Sequence, residues 1–214
     1  MDTEHSMKKF EFEDNIYNDV ANQLQIHDEC FDDRFIIELD DLTDRLPMVL
    51  TNIANRNTYP YGSRGTHKLI GANLFTRKGE NEIDNRCPRE IMGLYNHAIN
   101  RILHDDGGNV GVNVGLDSIS LNVQPMGQNG TPHRDGVFNG NDKTLMYFVN
   151  NKWEKKWGGP FQLLNPETKE VVNEIDFVPG RLVYFDGGLL HRGLAPKNVP
   201  YIYRKSLVFR IKAR

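Results

Sequence analysis

The stretch R-L-V-Y-F-D-G-G-L-L-H-R-G, residues 181–193, reads as a buried strand that breaks at a glycine pair and resumes at a histidine. Leu182, Val183, Tyr184 and Phe185 form an apolar run of strand length, rich in β-branched and aromatic side chains, and Gly187 with Gly188 supplies the turn. Outward from this stretch the same grammar repeats. Strands are expected at 116–124, 144–150, 160–165, 170–178, 181–186 and 201–212, each bounded by Gly, Asn or Pro clusters.

Toward the N-terminus the period changes. Between Pro88 and His104, Ile91, Leu94, Tyr95, Ala98, Ile99, Ile102 and Leu103 recur at three- and four-residue steps, which predicts an amphipathic helix that starts on Pro88 and leaves at Gly107. A second helix is expected over about 43–55, preceded by a strand at F-I-I-E-L, residues 35–39. The tract N-R-N-T-Y-P-Y-G-S-R-G-T-H, residues 56–68, reads as a long loop and a candidate lid. Strands following helices predict a mainly β chain with flanking helices, an α+β protein whose core is a jelly-roll, or double-stranded β-helix, barrel. The expected organisation is one domain over residues 1–214, with 1–107 as helical and mixed support and lid and 108–214 as the barrel core.

Composition narrows the function classes. Lys and Arg number 26 against 29 Asp and Glu, a formal net charge of -3, so the basic surface that binding to phosphate backbones requires is lacking and a nucleic-acid partner is disfavoured. The two cysteines, Cys30 and Cys87, are far apart and in no metal-ligand spacing, which suits a reducing compartment. The first residues carry charges where a signal peptide would place its apolar stretch, and no apolar run reaches membrane-spanning length. A cytoplasmic protein with no membrane partner is the expectation; oligomeric state is left open.

The chemistry concentrates in T-P-H-R-D-G, residues 131–136, and in His191. Residues i and i+2 of extended chain share a side, so His133 and Asp135 can face one ion while Arg134 points away, and His191 emerges just past the glycine turn. Two imidazoles and one carboxylate are the set that holds non-haem Fe(II) on one face and leaves the other open. The triplet His104-Asp105-Asp106 has the same His-x-Asp pattern, but at the end of a helix a histidine interacts with the terminal carbonyls and the acids open a turn. His5, His27, His67 and His97 have no partners at ligand spacing and read as solvated or locally hydrogen-bonded.

The last strand adds an anion partner. In Y-R-K-S-L-V-F-R-I, residues 203–211, Leu207, Phe209 and Ile211 alternate with Arg204, Ser206, Val208 and Arg210. A guanidinium inside a barrel matches a carboxylate bidentately, and Ser206 can add a hydroxyl; Arg204 is the first choice and Arg210 the reserve.

The ordered set of His-x-Asp, a distal His after P-G-R-L-V-Y-F-D, and Arg-x-Ser resembles the 2-oxoglutarate and Fe(II)-dependent dioxygenases. The likeness is greatest to their prolyl-hydroxylase-like branch, through T-L-M-Y-F-V-N-N-K-W (144–153) and W-G-G-P-F-Q-L-L (157–164). It covers about residues 116–212. The resemblance implies His133, Asp135 and His191 as iron ligands and Arg204, assisted by Ser206, as the partner of the far carboxylate of 2-oxoglutarate. Phe148 stands where some relatives place a tyrosine that holds the co-substrate, so Asn122, Gln124, Tyr147 or Tyr184 is expected to supply that hydrogen bond. It implies Fe(II), 2-oxoglutarate and O2, with ascorbate as a reductant, and hydroxylation of an unactivated C–H with release of succinate and CO2. Asp135, in place of a shorter residue, favours hydroxylation or desaturation over halogenation. A small molecule, an amino acid or natural-product intermediate, is the expected substrate, with Arg64, Arg77 and Trp153 as candidate contacts. The alternatives are peptidyl-proline hydroxylation and a non-catalytic jelly-roll binding module.

Overall fold

The computed structural model describes residues 17, 19, 24–52, 69–79, 82–105, 114–138 and 140–213. The 56–68 loop, including Arg64 and His67, and the seam at Gly107-Gly108 lie outside the described residues, as does the side chain of His104.

In chain order the elements are β1 (Gln25–His27), α1 (Asp33–Asp44), β2 (Val49–Asn52), β3 (Leu69–Arg77), β4 (Ile83–Asn85), α2 (Arg89–Asp105), β5 (Val114–Gln124) and β6 (Lys143–Phe148). A single 3-10 turn at Lys155–Trp157 leads to β7 (Phe161–Leu164), β8 (Val171–Ile175), β9 (Leu182–Asp186), β10 (His191–Gly193) and β11 (Arg204–Ala213). The larger sheet runs β1-β9-β6-β11-β5-β3-β2 with β4 on β3, and the smaller runs β10-β7-β8; the pairings within both are antiparallel. The residues before 107 therefore supply four strands to the larger sheet as well as both described helices.

Every expected strand of the C-terminal half forms, although the segment at 170–178 pairs only over Val171–Ile175 and that at 144–150 over Lys143–Phe148. The expectations for residues 35–52 are corrected; residues 53–55 lie outside the described residues. Residues 35–39 are helical, not extended, because the Asp32 carboxylate caps the helix by accepting from the Phe35 amide at 2.8 Å. Leu39 and Thr43, one turn apart, are buried on the inner side, a helical spacing that overrides the β preference of Phe-Ile-Ile. The helix stops near Pro47, whose missing N–H and ring block continuation, and Val49–Asn52 pair with β3 instead of extending a helix to 55.

Strands β6 and β9 of the larger sheet sort their side chains between two cores, and β5 and β11 add to the first of them. Ile119, Leu121, Val123, Leu145, Tyr147, Leu182, Tyr184, Leu207 and Phe209 pack under the two helices against Leu39, Ile91, Leu94, Ala98 and Ile102. Met146, Phe148, Val183 and Phe185, of opposite parity, meet Phe161, Leu163 and Leu164 of the smaller sheet. The two sheets thus stack face to face as a double-stranded β-helix with the helices on one outer face. Lys205 ties α1 to the central strand: it is buried, its Nζ lies against the Asp40 carboxylate and 2.5 Å from Asp44 Oδ1. On the far side, the buried Tyr17 hydroxyl donates to Leu164 O at 2.7 Å and accepts from Leu190 N at 2.7 Å, pinning the chain just before His191.

Candidate metal and co-substrate site

The inner face of the larger sheet is polar where β5 and β11 pair. Register places Arg204 opposite Gln124, Ser206 opposite Asn122, Val208 opposite Ser120 and Arg210 opposite Ser118, and these side chains line a cavity of about 340 Å³ between the sheets. Its apolar walls are Met146, Val208, Phe161 and Phe185.

At one wall His133, Asp135 and His191 converge, with one potential ligand atom from each lying within 4.8 Å of the others. Backbone pairing builds this cluster: His133 and His191 exchange N–H···O bonds of 3.0 and 2.9 Å, and the amides of Asp135 and Gly136 both donate to Gly187 O at 2.8 Å. Both rings are oriented alike. His133 Nδ1 lies 2.9 Å from Thr131 O and His191 Nδ1 2.9 Å from Leu189 O, so each Nδ1 carries the proton and each Nε2 lone pair faces Asp135, 3.7 and 3.6 Å from its oxygens.

The protonation states suit a metal. Burial would push the Asp135 carboxyl up, but His191, Arg210, His133 and the Thr144 hydroxyl outweigh it and hold the group at about 2. Burial, helped by the neighbouring His133, lowers His191 to about 4, so its ring is neutral near pH 7. Thr144 Oγ1 donates to Asp135 Oδ2 at 2.9 Å, and Arg210 Nη2 stands 2.7 Å from Oδ1 as an ion pair. Two imidazoles that each present Nε2 and an ionised carboxylate are a donor set that fits Fe(II).

Arg204 occupies the inner end. It is 1% exposed, donates from Nε to Gly159 O at 2.8 Å and from Nη1 to Gln124 Oε1 at 2.8 Å and Ser206 Oγ at 3.3 Å, while Nη2 is buried without a partner among the described residues. Its guanidinium carbon sits 5.3 and 5.0 Å from the ring centres of Phe148 and Phe177, and burial pulls its pKa down to about 9. A buried cation with both Nη2 hydrogens unpaired among the described residues is costly unless an anion meets it. Glycines make the space: a Cβ on Gly193 would sit 3.1 Å from Arg204 Nη1, and one on Gly130 would sit 2.7 Å from Gly193 O.

Of the other expected contacts, Asn122 and Gln124 line the cavity, Gln124 Nε2 being committed to Gln128 O and Gly193 O. Tyr184 does not line it: its parity on β9 turns it to the helical core, and Phe185 takes the cavity side. Tyr147 is corrected on the same ground, since Thr144 and Met146 hold the inward positions of β6. Arg77 and Trp153 are also not cavity residues among those described. Arg77 Nε reaches the Leu116 carbonyl at 3.4 Å, and the Trp153 ring packs on Phe177 and Trp157 while its Nε1 donates to Gly158 O at 2.9 Å. Sequence reading missed Thr144, Ser118 and Ser120, although the alternation S-I-S-L-N-V-Q (118–124) carries the signal for the two serines.

No family model and no curated protein matches the chain in sequence. Solved structures do. An oxidoreductase of the 2OG-Fe(II) oxygenase family from Burkholderia pseudomallei superposes with a TM-score of 0.66 at 13% identity, covering 92% of this chain and 90% of that one. A prolyl hydroxylase from Trichoplax adhaerens, solved with a hypoxia inducible factor peptide fragment, gives 0.60 at 18% identity over 97% and 92%. The non-heme alpha ketoglutarate dependent epimerase SnoN from nogalamycin biosynthesis gives 0.59 at 10% identity over 93% and 84%. The chain has the double-stranded β-helix fold of the 2-oxoglutarate and Fe(II) oxygenase structures.

Proposed function

We propose that this protein is an Fe(II)- and 2-oxoglutarate-dependent dioxygenase that hydroxylates an unactivated C–H bond of a small molecule. The observation that carries the reading is one cavity holding both the His133, Asp135, His191 cluster and a buried arginine with an unpartnered Nη2. When bound, Fe(II) with 2-oxoglutarate and O2 would supply the oxidising chemistry, with succinate and CO2 as co-products. The chain's own residues supply position. His133, Asp135 and His191 would hold the ion on one face, Thr144 and Arg210 keep the Asp135 carboxylate aligned, and Arg204 with Ser206 would clamp the far carboxylate of the keto acid. Met146, Val208, Phe161 and Phe185 exclude water between the two ends, which strengthens the ionic contact at Arg204. A binding module would need neither the ligand cluster nor the buried cation. A peptidyl-proline substrate is the second reading, favoured by the likeness to a prolyl hydroxylase solved with a peptide.

The test is an anaerobic absorption titration with Fe(II) and 2-oxoglutarate. A visible charge-transfer band is expected only when both are present, and Asp135→Ala should abolish it in a folded protein. Absence of the band in folded, iron-loaded protein would overturn the proposal.

A further inference from the structure

Beyond the iron and keto-acid positions, the cavity extends over the outer part of the β3, β5 and β11 surface. The described residues lining that floor are Asn73, Thr76, Ser118, Ser120, Asp117 and Arg210. Strand register sets them side by side: Asn73 opposite Ser120, Thr76 opposite Ser118, and Ser118 opposite Arg210. Ser120 Oγ donates to Asn73 Oδ1 at 3.4 Å, joining that hydroxyl to the amide, and Thr76 and Ser118 stand beside them by register.

The floor's charges are already balanced within the chain. Arg210 is 2.7 Å from Asp135, and Asp117 is 3.4 Å from Lys212. Arg210 and Asp117 each face an opposite charge of the chain and are partly exposed, so neither is a buried, unmatched ion of the Arg204 kind that would reward a charged substrate group. A pyrrolidine ring needs an extended apolar wall; of the apolar residues that line the cavity among those described, Val208 stands beside this floor, opposite Ser120, while Met146, Phe161 and Phe185 lie on other strands. Ser, Thr and Asn side chains each both donate and accept. The chemistry they complement is that of groups that do the same.

Resting on the dioxygenase reading, we infer that the substrate presents an uncharged, polyhydroxylated group, a glycosyl or cyclitol moiety, to the floor formed by Asn73, Thr76, Ser118 and Ser120. These side chains orient the group by hydrogen bonds and so select which C–H faces the His133 and Asp135 wall. The patch is a specificity surface of a polar kind. A site that hydrogen-bonds hydroxyls rejects analogues lacking them far more strongly than an apolar pocket rejects an extra methylene.

The experiment is saturation-transfer NMR on the full chain loaded with Zn(II) and 2-oxoglutarate. The probes are methyl β-D-glucopyranoside, methyl β-D-galactopyranoside, myo-inositol, free L-proline and N-acetyl-L-proline amide, and the variants are Thr76→Val and Ser120→Ala. At least one of the polyol probes is expected to bind more tightly than either proline probe, with its dissociation constant rising about tenfold in each variant, the loss of roughly one hydrogen bond. Thr76→Val preserves shape, so it reads the hydroxyl even if Ser120→Ala disturbs the strand. Preference for the proline probes, or polyol binding that neither variant weakens, would overturn the inference. Loss of the Fe(II) and 2-oxoglutarate band in wild-type protein would instead overturn the dioxygenase reading, because the NMR experiment reports the floor without turnover.

Discussion

Arg204 and Arg210 stand six residues apart on the same face of the same strand, yet they occupy opposite electrostatic situations. Arg204 is buried beneath the smaller sheet, held by two neutral oxygen acceptors, a carbonyl and an amide, together with the Ser206 hydroxyl, and its Nη2 has no partner among the described residues. Arg210, with 39% of its side chain exposed, is satisfied by a carboxylate of its own chain. A cation that meets its counter-ion within the protein belongs to the scaffold, whereas a desolvated cation left short of one is poised for a ligand.

The largest effect that would sharpen this contrast is at the inner arginine. Arg204→Met fills similar volume without a charge, and it should raise the 2-oxoglutarate requirement by at least ~100-fold. Its melting temperature should stay within about 5 °C of wild type, because an unpaired buried charge contributes little to stability. Keto-acid titration and thermal denaturation of the same sample check both halves. A large loss of stability with unchanged 2-oxoglutarate affinity would make Arg204 a structural residue and dissolve the contrast.

At the outer arginine the pattern should reverse. Arg210→Ala removes the partner of Asp135 Oδ1, so Fe(II) affinity should fall by about 10-fold while 2-oxoglutarate affinity, measured at saturating Fe(II), changes less than about threefold. Metal titration under nitrogen is the measurement. If Arg210→Ala instead shows the larger 2-oxoglutarate defect, the co-substrate lies toward the outer floor and the roles of the two arginines are exchanged.

The smallest effect belongs to Ser206. Its hydroxyl oxygen accepts from Arg204 Nη1 at 3.3 Å, a long contact, so Ser206→Ala should raise the 2-oxoglutarate requirement by only about five-fold and leave Fe(II) binding unchanged. A loss equal to that of Arg204→Met would mean the hydroxyl, rather than the guanidinium, carries the anchor.

Much of the site was legible because short-range geometry governs it. The i and i+2 spacing of His133 and Asp135, the glycine turn before His191, and the alternation of Arg204, Ser206, Val208 and Arg210 all follow from the extended backbone. The amphipathic spacing of α2 was equally plain, with Ile91, Leu94, Ala98 and Ile102 on its buried side. The region of α1 was not, since Phe35, Ile36 and Ile37 suit a strand locally and only the Asp32 cap and the burial of Leu39 and Thr43 resolve the matter. The candidate contacts failed in the same way. Tyr184 and Tyr147 have the polar tips that co-substrate binding would use, but alternation states only that neighbours on a strand face opposite ways, not which way the cavity lies.

The sequence by itself determined the candidate ligand types, their local spacing, the jelly-roll pattern and the arginine-bearing strand, because periodicity and turn chemistry are properties of neighbouring residues. Only the tertiary structure decided which face of each strand meets the cavity, that Thr144 and Arg210 support Asp135, and that the outer floor carries no uncompensated charge among the described residues. Those outcomes depend on how strands distant in the chain register against one another, a balance of long-range packing that no local window of residues contains.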